Sequence, residues 1–251
     1  MKRIYTLLII VAAACTANAQ SPAELFDAGN KAYKAGQYAE ASAHYEAALS
    51  QGQENAAIYY NLGDSYYRQG ELALAILNFE RAKRLAPTDN DIQENLDFVY
   101  SKTQDKIQPV PRLFFIDWWY NINTTMSPRG WINYCIILMF LMCAGIAVFF
   151  LSKDYAWRKI SLIISCCLIC LLILGGANAI SSAHYATAHD EAIVTSPMSI
   201  VKSSPDLSSV DKFVLHEGTK VKIDDEVDGW YKITIADGNK GWTSSDELTI
   251  I

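Results

Sequence analysis

Residues 56–89 read AAIYYNLGDSYYRQGELALAILNFERAKRLAPTD, and this stretch decides the fold of the first part of the chain. Its small and aromatic residues recur in phase when the sequence is set against itself 34 residues earlier. The matched pairs are Gly63 with Gly29, Gly70 with Gly36, Ala75 with Ala41, Phe79 with Tyr45, and Ala82 with Ala48. Small side chains let two paired helices approach, and an aromatic side chain fills the space beside them. The pattern predicts two helix-turn-helix repeats, at 22–55 and 56–89.

The same positions carry a family resemblance. The spacing of Leu62, Tyr66 and Pro87 around the small residues resembles the tetratricopeptide repeat family, over roughly residues 22–89. A third repeat would begin near residue 90, but Pro109 and Pro111 come before a second helix could form. We therefore predict that residues 91–102 form a helix that caps the second repeat, and that the all-α repeat domain spans 22–105.

In this family the first helix of each repeat lines a concave groove, and the resemblance implies that role here. Transferred by register, the predicted protein-binding groove consists of Phe26, Asn30, Tyr33, Tyr60, Asp64 and Tyr67, with Ala23 and Ala57 beside them. Aromatic side chains with adaptable polar neighbours suit an extended or helical peptide. The alternative is that the tyrosines only pack between helices. A clamp for a partner's terminal carboxylate is not expected, because Phe26 replaces the first lysine of that family motif.

Two uncharged apolar runs follow the repeat domain. Residues 131–151 and 160–180 are each long enough, at about 1.5 Å per residue, to cross a hydrocarbon layer of about 30 Å. The segment 152–159 between them carries Lys153, Arg158 and Lys159, and the positive-inside rule places this loop in the cytoplasm. The sequence therefore predicts a two-helix transmembrane hairpin.

The first 19 residues have the pattern of a signal peptide. Lys2 and Arg3 precede an apolar segment at 7–14, and residues 17–19 (Ala-Asn-Ala) match a cleavage site. A short anchor helix is one alternative, and lipoprotein processing at Cys15 is another, although three alanines before it match that signal poorly. A cleaved signal places the repeat domain outside. We therefore expect a two-pass protein of the bacterial inner (cytoplasmic) membrane with both soluble domains periplasmic.

The linker 106–130 includes an aromatic segment at 113–120 (LFFIDWWY). These rings suit the headgroup layer of a membrane, where an amphipathic ring keeps one edge wet. A collar packed against the repeat domain is the alternative. Gly145 in the first span and residues 175–177 (Gly-Gly-Ala) in the second allow close helix packing, either with each other or with a helix of another protein.

Residues 190–251 change to the period of two that is typical of strands. Apolar residues alternate at Val221, Ile223 and Ile233, and turns fall at 228–229 and 237–239. The strings 229–233 (GWYKI) and 237–243 (DGNKGWT) resemble the bacterial SH3-like (SH3b) family, which implies a small all-β barrel. The predicted ligand slot, for a peptide or a wall stem, consists of Trp230, Tyr231 and Trp242. The alternative is that these aromatics only serve the core of so small a domain.

Charge and composition exclude several classes of function. Lys and Arg number 7 against 13 Asp and Glu in residues 21–105, and 6 against 12 in residues 188–251. Such acidic domains argue against nucleic acid as a partner and leave proteins or polymers such as peptidoglycan. No catalytic or metal-binding constellation appears, so we expect no catalytic residue, no metal, no cofactor and no enzyme activity. Cys167 and Cys170 have redox spacing but lie in an apolar run, which favours helix packing.

The order of these parts resembles BatE-type proteins of the Bacteroides aerotolerance (Bat) operon. The resemblance implies a Bacteroidetes source, a role in oxygen or stress tolerance, and a membrane complex with von Willebrand A-domain Bat proteins and a MoxR-type ATPase. Three hypotheses follow for the function. They are a scaffold within a membrane complex, a cell-wall reader that binds peptidoglycan through its SH3-like domain while the repeats relay occupancy, and a membrane enzyme or redox carrier using Cys166, Cys167 and Cys170.

Overall fold

The computed structural model describes residues 20–111 and 113–251, so the predicted signal peptide and Cys15 lie outside the described residues. The chain begins with paired helices: α1 (Pro22–Lys34), α2 (Tyr38–Ser50), α3 (Ala56–Gln69), α4 (Leu72–Leu85) and α5 (Asn90–Tyr100). Local capping explains several of these boundaries. Ser21 and Glu24 form a capping box before α1, and Asn55 accepts a hydrogen bond from the Ile58 amide at 2.8 Å. Gly70 ends α3 in the left-handed region, with φ +87°.

The in-phase small residues lie where the helices of each repeat cross. A Cβ built on Gly29 would lie 2.5 Å from the ring of Tyr45, and one built on Gly63 would lie 3.1 Å from the ring of Phe79. Tyr45 and Phe79 are fully buried and are among the largest side chains of the array's core. The spacing that predicted the repeats therefore corresponds to close helix contacts between α1 and α2 and between α3 and α4.

Three further helices separate the array from the sheet: α6 (Phe114–Asn123), α7 (Pro128–Leu151) and α8 (Tyr155–Thr187). Two of them, α7 and α8, are long and apolar enough to cross a membrane. They extend beyond the apolar runs, and only residues 152–154 of the predicted loop stay non-helical. The reason is that Asp154 caps α8, since its carboxylate accepts a hydrogen bond from the Ala156 amide at 2.9 Å.

Glycines of the two long helices bring them together. A Cβ on Gly145 would lie 2.7 Å from Ser165 Oγ, and one on Gly175 would lie 2.9 Å from the ring of Tyr134. Gly176, in contrast, faces open space. The structure therefore uses Gly145 and Gly175 to pack α7 against α8.

The helix α6 is joined to this hairpin through buried polar groups. The Asn123 amide donates to the carbonyl oxygen of Asn178 at 3.0 Å, and the Trp131 indole donates to the carbonyl oxygen of Asn123, also at 3.0 Å. Phe114 and Trp118 remain exposed on α6, by 83% and 59%. Near its end, Tyr120 and Thr124 line a cavity together with Lys83 and Pro87 of the repeat region. The aromatic segment thus has one end beside the array and presents exposed rings elsewhere.

The C-terminal region is a seven-stranded antiparallel sheet in the order β3-β2-β6-β5-β4-β1-β7. Its strands are β1 (Glu191–Val194), β2 (Met198–Lys202), β3 (Asp211–His216), β4 (Lys220–Val227), β5 (Trp230–Thr234), β6 (Lys240–Ser244) and β7 (Leu248–Ile250). The tight turn between β4 and β5 has positive φ at Asp228 and Gly229. Apolar side chains that point inward from several strands form the core of this β-domain, among them Val201, Val221 and Ile233.

The β-domain packs directly on the helical array. Ile193 of β1 and Ile251 belong to one buried apolar cluster with Ile76 and Phe79 of α4 and Leu96 of α5. Gly218, with φ +83°, brings the β3–β4 turn so close that a Cβ there would lie 2.8 Å from Ile76 Cδ1. The face of α4 and α5 that a further repeat would cover is therefore covered by the β-domain.

Candidate functional site

Three of the six predicted groove residues surround one cavity on the array. Helix α1 supplies Asn30, Tyr33 and Lys34, and α3 supplies Asn61 and Asp64, with Tyr45 of α2 beneath them. The cavity has a volume of about 350 Å³, which falls within the range of about 300–1,000 Å³ that is usual for small binding pockets. Its wall is polar, with one lysine and one carboxylate among the lining residues.

Hydrogen bonds hold the side chains of this cavity in place. Asn30 Oδ1 accepts from the Tyr45 hydroxyl at 2.8 Å and from the Asn61 amide at 3.0 Å. The Tyr33 hydroxyl donates to Asp64 Oδ2 at 2.5 Å. Burial, together with that bond to Asp64, raises the pKa of Tyr33 to about 12. Tyr33 therefore stays protonated at neutral pH, and the internal hydrogen bonds hold the polar side chains of the cavity in one arrangement.

The other three predicted groove residues lie outside this cavity and are half-buried. The ring centroid of Phe26 lies 5.8 Å from that of Tyr45 with the two rings tilted, and the ring of Tyr60 meets Phe79 edge-on at a centroid distance of 5.6 Å. Tyr67 contacts Phe98 at 5.4 Å. These side chains pack with neighbouring aromatics, as the alternative interpretation of the groove expected for the tyrosines.

Helix α5 adds residues to the same surface that the sequence analysis did not name. Phe98 is 44% exposed beside Tyr67, and the Asn95 amide donates to the Tyr60 hydroxyl at 2.9 Å. Phe98 stands 34 residues after Asp64, so the repeat register contained the signal for it. The surface therefore continues onto the helix that was expected only to cap the array.

The predicted slot of the β-domain is divided between two faces of the sheet. Strand register pairs Trp230 with Ser244 and Lys232 with Trp242, which places both tryptophans on one face. Tyr231 pairs with Thr243 on the opposite face and packs against the core. Both tryptophans are half-buried, and Lys232 Nζ lies 5.9 Å from the centroid of the Trp242 ring. The structure thus places Trp230 and Trp242 on the same face of the sheet and turns Tyr231 inward.

A polar network, also missed by the sequence analysis, joins the β-domain to the segment after α5. Asp105 accepts hydrogen bonds from the His216 amide at 2.7 Å, from His216 Nδ1 at 2.8 Å, and from the Thr219 hydroxyl at 2.7 Å. Burial raises the pKa of Asp105, but these hydrogen bonds outweigh it and hold the pKa below its usual value. The carboxylate is therefore ionised at neutral pH, and its hydrogen bonds hold the segment after α5 against the β3–β4 turn.

Helix α4 makes a second polar contact with the β-domain. Arg81 donates to the carbonyl oxygen of Ile250 at 2.6 Å, and Arg84 donates to that of Ile251 at 2.7 Å. Lys220 Nζ lies 3.1 Å from Glu80 and 2.9 Å from Glu191. No local pattern signals these pairs, because most of their partners are more than a hundred residues apart in the chain. Apolar and polar contacts together join the two soluble regions.

The described ranges, 20–111 and 113–251, contain no group of three or more His, Cys, Asp or Glu residues arranged to hold a metal ion. Cys166, Cys167 and Cys170 are unpaired and exposed on the outer surface of α8. His216 Nδ1 is hydrogen-bonded to Asp105.

Comparison with known proteins gives two matches. The family model "Tetratricopeptide repeat" matches residues 26–90, and the family model "Bacterial SH3 domain" matches residues 199–249. No curated protein matches the chain, so the resemblance to BatE-type proteins stays a prediction. Both matched families are non-catalytic interaction domains that suggest protein-binding or cell-wall-binding roles. The fold class is confirmed as a helical tetratricopeptide-like region, two long apolar helices, and an antiparallel all-β sheet consistent with a bacterial SH3-like domain.

Proposed function

We propose that this chain is a non-enzymatic, membrane-anchored adaptor that recruits protein partners through its repeat array and its SH3-like domain. The observation that carries the proposal is the shared core of α4, α5, Ile193 and Ile251, which joins two interaction domains into one body. Such a body presents its two binding surfaces at a constant distance and orientation relative to each other. A partner bound to one surface is therefore at high effective concentration for the other.

Contact between the two domains also supports their common location. The array precedes α7 and the β-domain follows α8, so domains that touch must lie on the same side of a membrane that both helices cross. The basic residues Lys153, Arg158 and Lys159 lie between or just inside the two helices, and the positive-inside rule favours the cytoplasm for that end. We infer a two-pass inner-membrane protein with both domains periplasmic.

The proposed setting is a Bat-type stress or aerotolerance complex, with von Willebrand A-domain proteins and a MoxR-type ATPase as partners. What supports it is the order of the parts: array, apolar hairpin, SH3-like domain. The proposed contact surface for partners is the array cavity, lined by Asn30, Tyr33 and Asp64, together with the exposed ring of Phe98. Tyr60, Tyr67 and Phe26 extend it as half-buried packing residues.

Affinity purification of the full chain from detergent, followed by identification of the co-purified proteins, tests this proposal. Two lysines of α1 give a matched pair of variants, because Lys34 lines the cavity and Lys31 is exposed elsewhere on the same helix. We expect Lys34→Ala combined with Phe98→Ala to lose partners that Lys31→Ala retains. If both variants retain the same partners as the wild type, the cavity is not the contact surface.

A cell-wall reader is the second candidate, favoured by the placement of Trp230 and Trp242 on one face of the sheet. Two aromatic rings with Lys232 between them suit the stacking and charge of a wall stem peptide. Binding of the full chain in detergent to isolated peptidoglycan tests this candidate. Retention that is lost in Trp230→Ala and kept in Tyr231→Phe, which alters the inward-facing residue, favours a wall reader. Absence of retention in the wild type removes it.

A further inference from the structure

The linker that follows α5 crosses the β-domain before it reaches α6. Residues 104–110, called segment 104–110 below, belong to no helix or strand. Near its start, Asp105 accepts three hydrogen bonds from the end of β3 and from the β3–β4 turn. At its other end, the Val110 amide donates to the carbonyl oxygen of Ala236, just after β5, at 3.0 Å. The segment therefore spans the β-domain from the β3–β4 turn to the connection between β5 and β6.

The start of segment 104–110 contacts both ring nitrogens of His216. Asp105 Oδ1 lies 2.8 Å from Nδ1, and Gln104 Nε2 lies 3.0 Å from Nε2. With the proton on Nδ1, the ring donates to the carboxylate and accepts from the amide, so one neutral tautomer satisfies both contacts. Asp105 Oδ2 accepts from the His216 amide and from the Thr219 hydroxyl, each at 2.7 Å. The β-domain thus offers three donors to one carboxylate of the linker.

The middle of the segment adds an apolar contact. Ile107 packs against the buried cluster that forms the core of the β-domain. Beside it lies a cavity of about 410 Å³, to which the β-domain contributes Phe213, Leu215 and Ile235. This volume falls within the range of about 300–1,000 Å³ that is usual for small binding pockets. The two tryptophans of the predicted slot do not line this cavity, so the surface is separate from the tryptophan face.

The far end of the segment is held more weakly. Val110 is 54% exposed, and a Cβ built on Gly238 would lie 3.6 Å from its Cγ2, which is an ordinary contact. Pro109 and Pro111 flank Val110, and a proline restricts the residue before it to an extended backbone. A segment that is already extended loses less conformational entropy when it binds. Among the described strand pairs none includes this segment, so its contacts are those of a bound peptide and not of an eighth strand.

We propose that the surface between the β3–β4 turn and the β5–β6 connection is a peptide-binding surface, occupied here by segment 104–110 of the same chain. The peptide that fits it has an extended backbone, a carboxylate, an apolar side chain two residues later, and a backbone N–H three residues after that. A partner protein with such a segment competes with the chain's own linker. This competition rests on the adaptor function proposed above, whereas the binding of segment 104–110 does not.

Binding of a free, fluorescein-labelled peptide with the sequence of residues 104–111 tests the proposal. Fluorescence anisotropy measures its binding to the full chain in detergent. Asp105→Ala combined with Ile107→Ala releases the chain's own segment and leaves the β-domain unaltered. A tethered segment acts at an effective concentration in the millimolar range. We therefore expect this released variant to bind the peptide at least about ten-fold more tightly than the wild type does.

Lys106→Gln is the matched control within the segment. Lys106 lies between the two substituted residues, but its Nζ donates to the carbonyl oxygen of Ser101 at the end of α5, at 2.9 Å. This variant should bind the peptide as weakly as the wild type does. A peptide with Asp105→Ala and Ile107→Ala should not bind the released variant. Equal binding of the first peptide to the wild type and the released variant would overturn the proposal, as would equal binding of both peptides.

Hydrogen exchange measured by NMR covers the case in which the released variant binds nothing. In the wild type we expect the His216 and Val110 amides to exchange faster than that of Ile233, because a bound segment detaches while the domain stays folded. One common rate for all three would show that the segment is an integral part of the domain. A released variant that binds no peptide although its Ile233 amide stays protected would likewise refute the peptide surface. If the peptide binds as expected and no protein co-purifies with the full chain, the surface stands and the adaptor function fails.

Discussion

Truncation of Ile193 tests whether the β-domain stabilises the helical array. Ile193 is completely buried, and its cluster includes Ile76 and Phe79 of α4 and Val99 of α5. Removing a buried isoleucine side chain down to alanine costs about 2–5 kcal/mol, of which the lost transfer of three methylene-sized groups is about 2.4 kcal/mol. Since about 1.4 kcal/mol corresponds to a factor of ten, opening of the interface should become at least about thirty-fold more frequent.

Hydrogen exchange of backbone amides in the full chain, followed by mass spectrometry, measures this effect. We expect Ile193→Ala to accelerate exchange in α4 (Leu72–Leu85) and α5 (Asn90–Tyr100), although the substitution lies in β1. Val194→Ala is the matched control, because the next residue of the same strand is equally buried but belongs to the core of the β-domain. Unchanged exchange in α4 and α5 for Ile193→Ala, or the same acceleration for Val194→Ala, would refute the reasoning.

Three further predictions concern single positions. The folded pKa of Asp105 is lowered, so its carboxylate adds stability above the unfolded value of about 3.9, and this contribution is lost as the pH falls through the folded value. Asp105→Asn should lower Tm near neutral pH and flatten the fall of Tm below about pH 5, and parallel Tm curves for wild type and variant would contradict this. Gly29→Ala should destabilise the array by about 1–3 kcal/mol in thermal unfolding. The loss should exceed that of Gly63→Ala, because the new Cβ would lie 2.5 Å rather than 3.1 Å from the facing ring. A larger loss of stability in Gly63→Ala would be evidence against tight packing at Gly29. Gly145→Ala should lower the Tm of the full chain in detergent, because its Cβ would lie 2.7 Å from Ser165 Oγ. Gly176 faces open space, so Gly176→Ala should leave Tm unchanged. Equal Tm values for the two variants would count against packing between α7 and α8 through Gly145.

The repeats were predictable from sequence because their packing depends on residues at constant spacing. Gly29 with Tyr45, and Gly63 with Phe79, are local pairs within one helical hairpin, so the same side chains that set the pattern also make the contact. The apolar runs were predictable for a similar reason, since length and hydropathy are properties of one segment. The strand that contains Trp230 was predictable from the alternation of apolar and polar residues along it. Consecutive strand residues point to opposite faces, so the same alternation already argues against one slot that contains both Trp230 and Tyr231.

The contact between the two domains was not predictable, because it depends on residues far apart in sequence. Asp105 meets His216 and Thr219 more than a hundred residues later, and Arg84 meets Ile251 at the far end of the chain. Glu80 illustrates the difficulty. It stands 34 residues after Glu46, and each accepts a hydrogen bond from a tyrosine of the following helix, Tyr66 for Glu46 and Tyr100 for Glu80. Glu80 has an additional partner, Lys220 of the β-domain, which the repeat pattern does not indicate.

The short connection between α8 and β1 has a mechanical consequence. Only residues 188–190 separate the end of α8 from β1, and within them the carbonyl oxygen of Ala188 is held by Arg84 at 2.5 Å. A connection of this length is too short and too constrained to compensate for a change in the tilt of the helix. If α8 crosses a membrane as we propose, its tilt depends on the hydrocarbon thickness of the bilayer, and the β-domain with the attached array would change orientation with it. The direction in which both surfaces point would then depend on the lipid around the hairpin.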